Sequence, residues 1–310
     1  MPPSRSAGAG LTFPTMGTLG HASWTPPGLD IGRQLHDRAG RIERRLTRFR
    51  DDSEITGLST SWSEVSDDTA AVLAASEALR AQTNGHFTAL LGRQTRAWEQ
   101  VAAGSRPGVP GSSAAAGRIE VDGNRARLVA APPRSVDLGA IAKGYAADQL
   151  RDLAVGLGAE DVLIGLGGSS IAVAGEPAAI GLASPWQGWE TFGTLTLASG
   201  SLSVSADPGT PIQGGRRRSH VLDPATGAPA VTDLCAAVVC GADGMACEAF
   251  STAYLAMGLD AAMRLDLRHP ELDSVFMTVD GRVLASPRLT ITAKPGVQEW
   301  LRRQRSGASR

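Results

Sequence analysis

Residues 218–229 read Arg218-Ser219-His220-Val221-Leu222-Asp223-Pro224-Ala225-Thr226-Gly227-Ala228-Pro229. Pro224 and Pro229 fix φ, Gly227 admits positive φ, and the Asp223 carboxylate can cap the turn. An imidazole pinned beside so stiff a turn can accept or donate a proton near neutral pH. A plain connector with a surface histidine is the competing reading. A second stretch, Val136-Asp137-Leu138-Gly139-Ala140-Ile141-Ala142-Lys143-Gly144, combines small residues, a helix start and a cation. Free N–H groups at a helix N-terminus and the Lys143 charge suit a phosphate; a tightly packed strand-to-helix turn fits the same residues. It lacks the Gly-Lys-Ser/Thr of a nucleotide-triphosphate loop.

Glu248 and Thr252 stand four residues apart near the start of a helix and face the same way. With a nearby main-chain carbonyl they make a partial Mg²⁺ shell, to be completed by water and phosphate oxygens. A solvated Glu and a Thr bonded back to its own helix is the alternative. Ile164-Gly165-Leu166-Gly167-Gly168-Ser169-Ser170 lacks the last glycine of a dinucleotide fingerprint and runs into a strand, so it reads as a glycine-lined bend beside a ligand. His21, His36, His86 and His269 have no paired spacing, which argues against a zinc site. The absence of Gly-x-Ser-x-Gly argues against a serine hydrolase.

The elements that must hold these groups are read from periodicity and punctuation. Thr12–Trp24 alternates and suggests an opening strand. Ile31, Leu35, Ile42, Leu46 and Phe49 recur at helical spacing over residues 30–49. A second helix is expected over 68–82, a third from about Ala142 to Leu157, and a fourth over 245–257. Strands are expected near 118–121, 125–130, 161–165, 169–174, 179–183, 193–198, 202–205 and 236–239. A hairpin over 275–285 turns at Asp280-Gly281. Residues 103–117 form a low-complexity loop; 1–10 and 303–310 read as disordered, leaving a single domain over 11–302. The mixture is α+β with mixed or antiparallel sheets and packed helices, not alternating βαβ.

Composition sets the outer bounds. The 310 residues are 42% hydrophobic and 20% charged with a net charge of −1, so this is a globular chain with no long-range field for nucleic acid or an anionic membrane. The 37 Gly and 18 Pro make it rich in turns. Cys235, Cys240 and Cys247 have no metal-type spacing, and their odd number argues against a disulfide framework. With no apolar leader, no lipid-attachment cysteine and no run of about 18 apolar residues, the chain reads as cytoplasmic, with no membrane span.

Taken in order, Pro14-Thr15-Met16-Gly17-Thr18, Phe49-Arg50-Asp51-Asp52-Ser53-Glu54-Ile55, Thr83-Asn84-Gly85-His86-Phe87-Thr88, the Val136-to-Tyr145 block, Leu166-Gly167-Gly168, His220-to-Pro229 and the Glu248/Thr252 helix resemble the FAD:protein FMN transferase family, the ApbE-type flavin transferases. The resemblance runs over nearly the whole chain. It implies a single α+β domain of the ApbE type, related to the T-fold, that binds FAD in a groove. With Mg²⁺, such a protein moves the FMN half onto a Ser/Thr hydroxyl of an acceptor flavoprotein and releases AMP. Carried over residue by residue, Met16, Phe49, His86, Phe87, Thr88, Asp137, Lys143 and Leu222 fall at FAD-contact positions. Ala140 (through its carbonyl), Glu248 and Thr252 fall at metal positions, and His220 takes the place of the histidine implicated in transfer. The family usually has Asp where this chain has Glu248, Ala-Phe-Asp where it has His86-Phe87-Thr88, and Thr-Ser-Gly where it has Val204-Ser205-Ala206. An FAD-binding protein or an FAD pyrophosphatase without a protein acceptor is the alternative function.

Overall fold

The computed structural model describes residues 8–106, 115–186, 191–207, 210–211 and 217–293. The chain opens with strands β1 (Ala9–Thr15) and β2 (Thr18–Trp24), helix α1 (Gly32–Leu46), the short β3 (Ser63–Glu64), α2 (Asp67–Gln82) and α3 (Gly92–Ala102). Strands β4 (Arg118–Asp122) and β5 (Arg125–Val129) precede α4 (Ala142–Gly156). Then come β6 (Val162–Leu166), β7 (Ser170–Ala174), β8 (Ala178–Ala183), β9 (Thr191–Leu197) and β10 (Gly200–Ala206). Four two-residue strands follow: β11 (Thr210–Pro211), β12 (Arg217–Arg218), β13 (Leu222–Asp223) and β14 (Ala228–Pro229). The last elements are β15 (Leu234–Gly241), α5 (Gly244–Met257), α6 (Leu259–Asp266), β16 (Asp273–Thr278), β17 (Val283–Ala285) and β18 (Thr290–Ala293).

An eight-stranded sheet of order β1-β2-β6-β7-β10-β15-β16-β17 is antiparallel throughout. One face is covered by helices that bury Leu35 and Ile42 of α1, Leu73 of α2, Leu150 of α4 and Phe250 and Tyr254 of α5. The other face packs on the small sheet β18-β9-β8 through Ile180, Leu182 and Leu195. β15 is buried on both sides, so it reads as a nearly unbroken apolar run: Ala237 and Val239 face the helices, Ala236, Val238 and Cys240 the small sheet. All three cysteines are free and buried, and burial pushes the Cys240 thiol up to about 12.

Local chemistry explains the helix ends. Ser66 caps α2 through Thr69 N–H, and Asp243 caps α5 through Met245 and Ala246 N–H at 2.7 and 3.1 Å. α4 has no side-chain cap at its own Ile141. Gly144 and Gly244 bring the starts of α4 and α5 into contact, and a Cβ on Gly144 would stand 2.0 Å from the Gly244 carbonyl oxygen. That close approach carries Lys143 to Glu248.

Several expectations need correction. Thr12–Trp24 is not one strand: β1 and β2 form a hairpin turning at Met16 (φ 50°) and Gly17 (φ 71°). Met16 takes a left-handed conformation that an apolar side chain seldom adopts, so the turn carried no Asn or Asp signal. The expected N-terminal disorder overlaps β1, which already includes Ala9 and Gly10. α3 and α6 were not expected. Only Gly92 of α3 is fully buried, and its short stripe of Ala97, Trp98 and Val101 is set among charged and polar residues. α6 starts directly after Gly258 (φ 83°), one residue beyond the end of the helix expected over 245–257. Residues 107–114 of the expected loop and the tail 303–310 lie outside the described residues. Among the described residues no helix is long and apolar enough to cross a membrane.

Candidate active site

A groove of about 1310 Å³ opens where the end of α1, the Gly167-Gly168 bend, α5 and the His220 turn converge. Met16, Phe49, His86, Phe87, Thr88, Asp137, Lys143, Leu222, Ala140, Glu248, Thr252 and His220 all line it. Residues picked out over most of the chain thus meet in one cavity.

The His220 turn is built as its residues suggest. β13 pairs with β14, Leu222 opposite Pro229, and Gly227 has φ 66°. Asp223 accepts from Ala225 N–H at 3.0 Å, and its carbonyl accepts from Gly227 N–H at 2.7 Å. The Trp98 indole donates to the Gly227 carbonyl at 2.9 Å, fastening the turn to α3. Leu222 is buried and His220 exposed toward the groove.

On the opposite wall, Asp137 N–H donates to the Ala89 carbonyl at 2.8 Å, joining the His86–Thr88 segment to the Asp137 loop. Phe87 and Thr88 are buried, and the Thr88 hydroxyl accepts from Leu90 N–H at 3.2 Å, so it shapes its own turn. Asp137 accepts from Gly139 N–H at 2.9 Å, and its other oxygen lies 3.1 Å from Arg48 Nε. Arg48 also grips Glu99 and lies 4.2 Å beneath the Phe49 ring. Burial opposes the Arg48 charge, but Glu99 and Asp137 outweigh it and hold its pKa above the usual value. Phe49 is 77% exposed, a flat apolar face backed by a cation at the groove. Sequence reasoning missed Arg48: its partners are distant in the chain, and its only local mark is its place before Phe49.

Glu248 is 4% exposed and therefore not the solvated side chain of the alternative reading. It lies in the second turn of α5. Oε1 receives Lys143 Nζ at 2.5 Å and Ser170 Oγ at 3.4 Å; Oε2 receives Gly144 N–H at 2.7 Å. The carboxylate thus supplies the cap that α4 lacks, using the reach of the extra methylene. Lys143 Nζ also donates to the Gly139 carbonyl at 3.1 Å. Since Gly144 N–H points to Glu248, the Ala140 carbonyl is left without a hydrogen bond from the described residues. Thr252 Oγ1 is 3.1 Å from Ser205 Oγ, within the Val204-Ser205-Ala206 stretch that borders the groove. A free carbonyl, a carboxylate and a hydroxyl are hard oxygen donors, the set Mg²⁺ takes, and the Lys143 ammonium already rests on two oxygens of this corner. Among the described residues no group of three or more His, Cys, Asp or Glu forms a self-sufficient metal cluster, so ligand phosphates would have to complete any shell.

A family model described as the ApbE family matches residues 16–276. The chain belongs to the ApbE family. Among curated proteins, the FAD:protein FMN transferase of Klebsiella pneumoniae is 31% identical over 157 residues, 50% of this chain and 49% of that protein. The Haemophilus influenzae protein of the same name is 24% identical over 290 residues, 82% of each chain. The match thus spans about half of the first relative and most of the second. Two solved ApbE structures share the fold. The Vibrio cholerae flavin transferase has a TM-score of 0.74 at 21% identity over 91% of this chain and 98% of that one. The Pseudomonas stutzeri flavinyl transferase has a TM-score of 0.75 at 23% identity over 94% and 96%.

Proposed function

We propose that this ApbE-family chain is a flavin transferase that takes FAD as substrate and attaches its FMN half to a Ser or Thr hydroxyl of an acceptor flavoprotein. The observation that supports this most directly is the convergence of all twelve resemblance-derived residues on one groove. Phosphoryl transfer asks for positioning and charge neutralisation more than for covalent help from the protein.

In this reading the flavin ring lies against Phe49, and Met16, the His86–Thr88 segment, Asp137 and Leu222 fix the dinucleotide. The Ala140 carbonyl, Glu248 and Thr252 would hold Mg²⁺, which when bound neutralises the diphosphate and the charge on departing AMP. The acceptor oxygen forms a new bond to the phosphorus of the FMN half as the diphosphate P–O bond breaks. AMP leaves with that electron pair, and the acceptor proton passes to His220. Lys143, set at the start of α4, adds positive charge at the diphosphate.

FAD hydrolysis to FMN and AMP is the second reading, favoured by the exposure of His220, whose ring can serve water as well as a hydroxyl. Incubation with FAD, Mg²⁺ and a Ser/Thr-bearing acceptor protein separates them. Flavin fluorescence that stays on the acceptor in a denaturing gel supports transfer. Free FMN and AMP with an unlabelled acceptor would assign hydrolysis instead.

A further inference from the structure

Helix α3 borders two cavities. Leu91, just before it, and Thr95 border the groove. On another side, Arg93, Arg96, Ala97 and Gln100 join Arg106, Pro133 and Arg134 around a second cleft of about 460 Å³. Four of its seven lining residues are arginines and none is acidic. Arg93 and Arg106 are exposed and make no ion pair among the described residues. Arg134 reaches Asp51 Oδ1 at 2.7 Å, while Arg96 donates to the Arg134 carbonyl, not to a carboxylate. Burial, then the charges of Arg48 and Arg134, lower the pKa of Arg96. Asp51 is paired with Arg134, and Asp137 and Glu99 lie near enough to Arg96 to oppose that lowering, so Arg93 and Arg106 are the two guanidinium groups left for bidentate pairing with carboxylates or phosphates.

The position of the cleft says what would bring such groups. It is separated from the groove by one helix, about 10 Å across, which an extended chain passes around in about five residues or more. Trp98 of that helix is bonded to the His220 turn. We propose that the cleft receives an acidic stretch of the acceptor polypeptide, an Asp/Glu cluster on the same chain as the hydroxyl that takes the flavin. The proposal rests on the flavin-transfer reading above. A chain segment fits better than a single small anion, because the arginines come from three separate stretches (93–96, 106 and 134).

The test uses a fluorescein-labelled peptide carrying one Ser and six Asp/Glu residues, its Asn/Gln counterpart and the intact protein, read by fluorescence anisotropy. FAD binding is followed separately by flavin fluorescence. The acidic peptide is expected to bind, more weakly as salt rises, and its neutral counterpart not to bind. The double variant Arg93→Glu/Arg106→Glu is expected to weaken peptide binding by at least about tenfold, with FAD affinity and melting temperature unchanged. Equal peptide binding by wild type and variant, or none by either, would overturn the proposal. Binding of inorganic pyrophosphate lost in the variant, without peptide binding, would assign the cleft to a small free anion and also overturn it. Failure of FAD to bind while the peptide arm succeeds counts against the transferase reading, not the cleft.

Discussion

Lys143 Nζ lies 2.5 Å from Glu248 Oε1, while the second oxygen of the same carboxylate accepts the Gly144 N–H at 2.7 Å. One side chain of α5 thereby pairs with a lysine of α4 and closes that helix's open end. Any cation bound through Glu248 must share the carboxylate with Lys143. Glu248→Gln keeps a polar group of the same shape but removes its charge. Half-maximal activity should then need about tenfold more Mg²⁺, and a titration curve that overlays the wild type would remove Glu248 as a metal ligand. Glu248→Ala should also destabilise the fold by about 1–3 kcal/mol in urea unfolding, since a buried donor loses its acceptor.

Gly144 has no room for a side chain. An added Cβ would sit 2.0 Å from the Gly244 carbonyl oxygen, a backbone atom that cannot step aside. Gly144→Ala should cost about 1–3 kcal/mol or more by forcing α4 and α5 apart. Because the same contact sets the Lys143–Glu248 pair, FAD binding should weaken together with the melting temperature.

His220 stands exposed on a turn whose hydrogen bonds are made by other groups. His220→Ala should slow transfer by about 10²–10⁴-fold while FAD affinity and stability stay near wild type. Single-turnover flavinylation alongside an FAD titration measures both. An unchanged rate would remove the base from the scheme.

Phe49 is 77% exposed and rests on Arg48. Little folding stability depends on it, so Phe49→Ala should leave the melting temperature nearly unchanged. A lost aromatic stack is worth about 0.5–1.5 kcal/mol, which predicts FAD binding about two- to tenfold weaker by fluorescence quenching.

Asp68 anchors a buried network away from the groove. Arg38 pairs with it at 2.5 Å, Arg45 at 2.5 Å, and the Tyr145 hydroxyl donates at 2.6 Å. Burial pushes its pKa up, but Arg38, Tyr145 and Arg45 more than compensate and bring it down to about 2. A carboxylate depressed in the folded state adds stability that is complete above its unfolded value near 4 and is lost as pH falls toward 2. Unfolding free energy should therefore drop by about 2 kcal/mol over that window through this group, and Asp68→Asn should flatten the acid limb. The same pH dependence in the variant would assign it elsewhere.

Local residue chemistry was enough to place most elements. The apolar spacing of Leu35, Ile42 and Leu46 marks α1, the run around Ala236–Val239 marks β15, and Asp223 to Pro229 specify a turn whatever surrounds it. Such signals lie within one helical repeat or one turn, so the amino-acid order carries them. The Met16-Gly17 turn and α3 escaped because their local signals are weak: a left-handed Met and a short helix with one fully buried residue and only a brief apolar stripe are held by their neighbours.

The candidate site divides along the same line. Which side chains carry acid–base, cationic or oxygen-donor groups follows from residue types, and motif order joined them into one family resemblance. Their partners did not follow. That Arg48 braces Asp137, that Glu248 caps α4, and that four arginines surround a cleft behind α3 depend on contacts between segments far apart in the chain. Packing fixes those contacts: two glycines let α4 and α5 touch, and distances of 2.5–3.1 Å arise only once the backbone has brought both partners in.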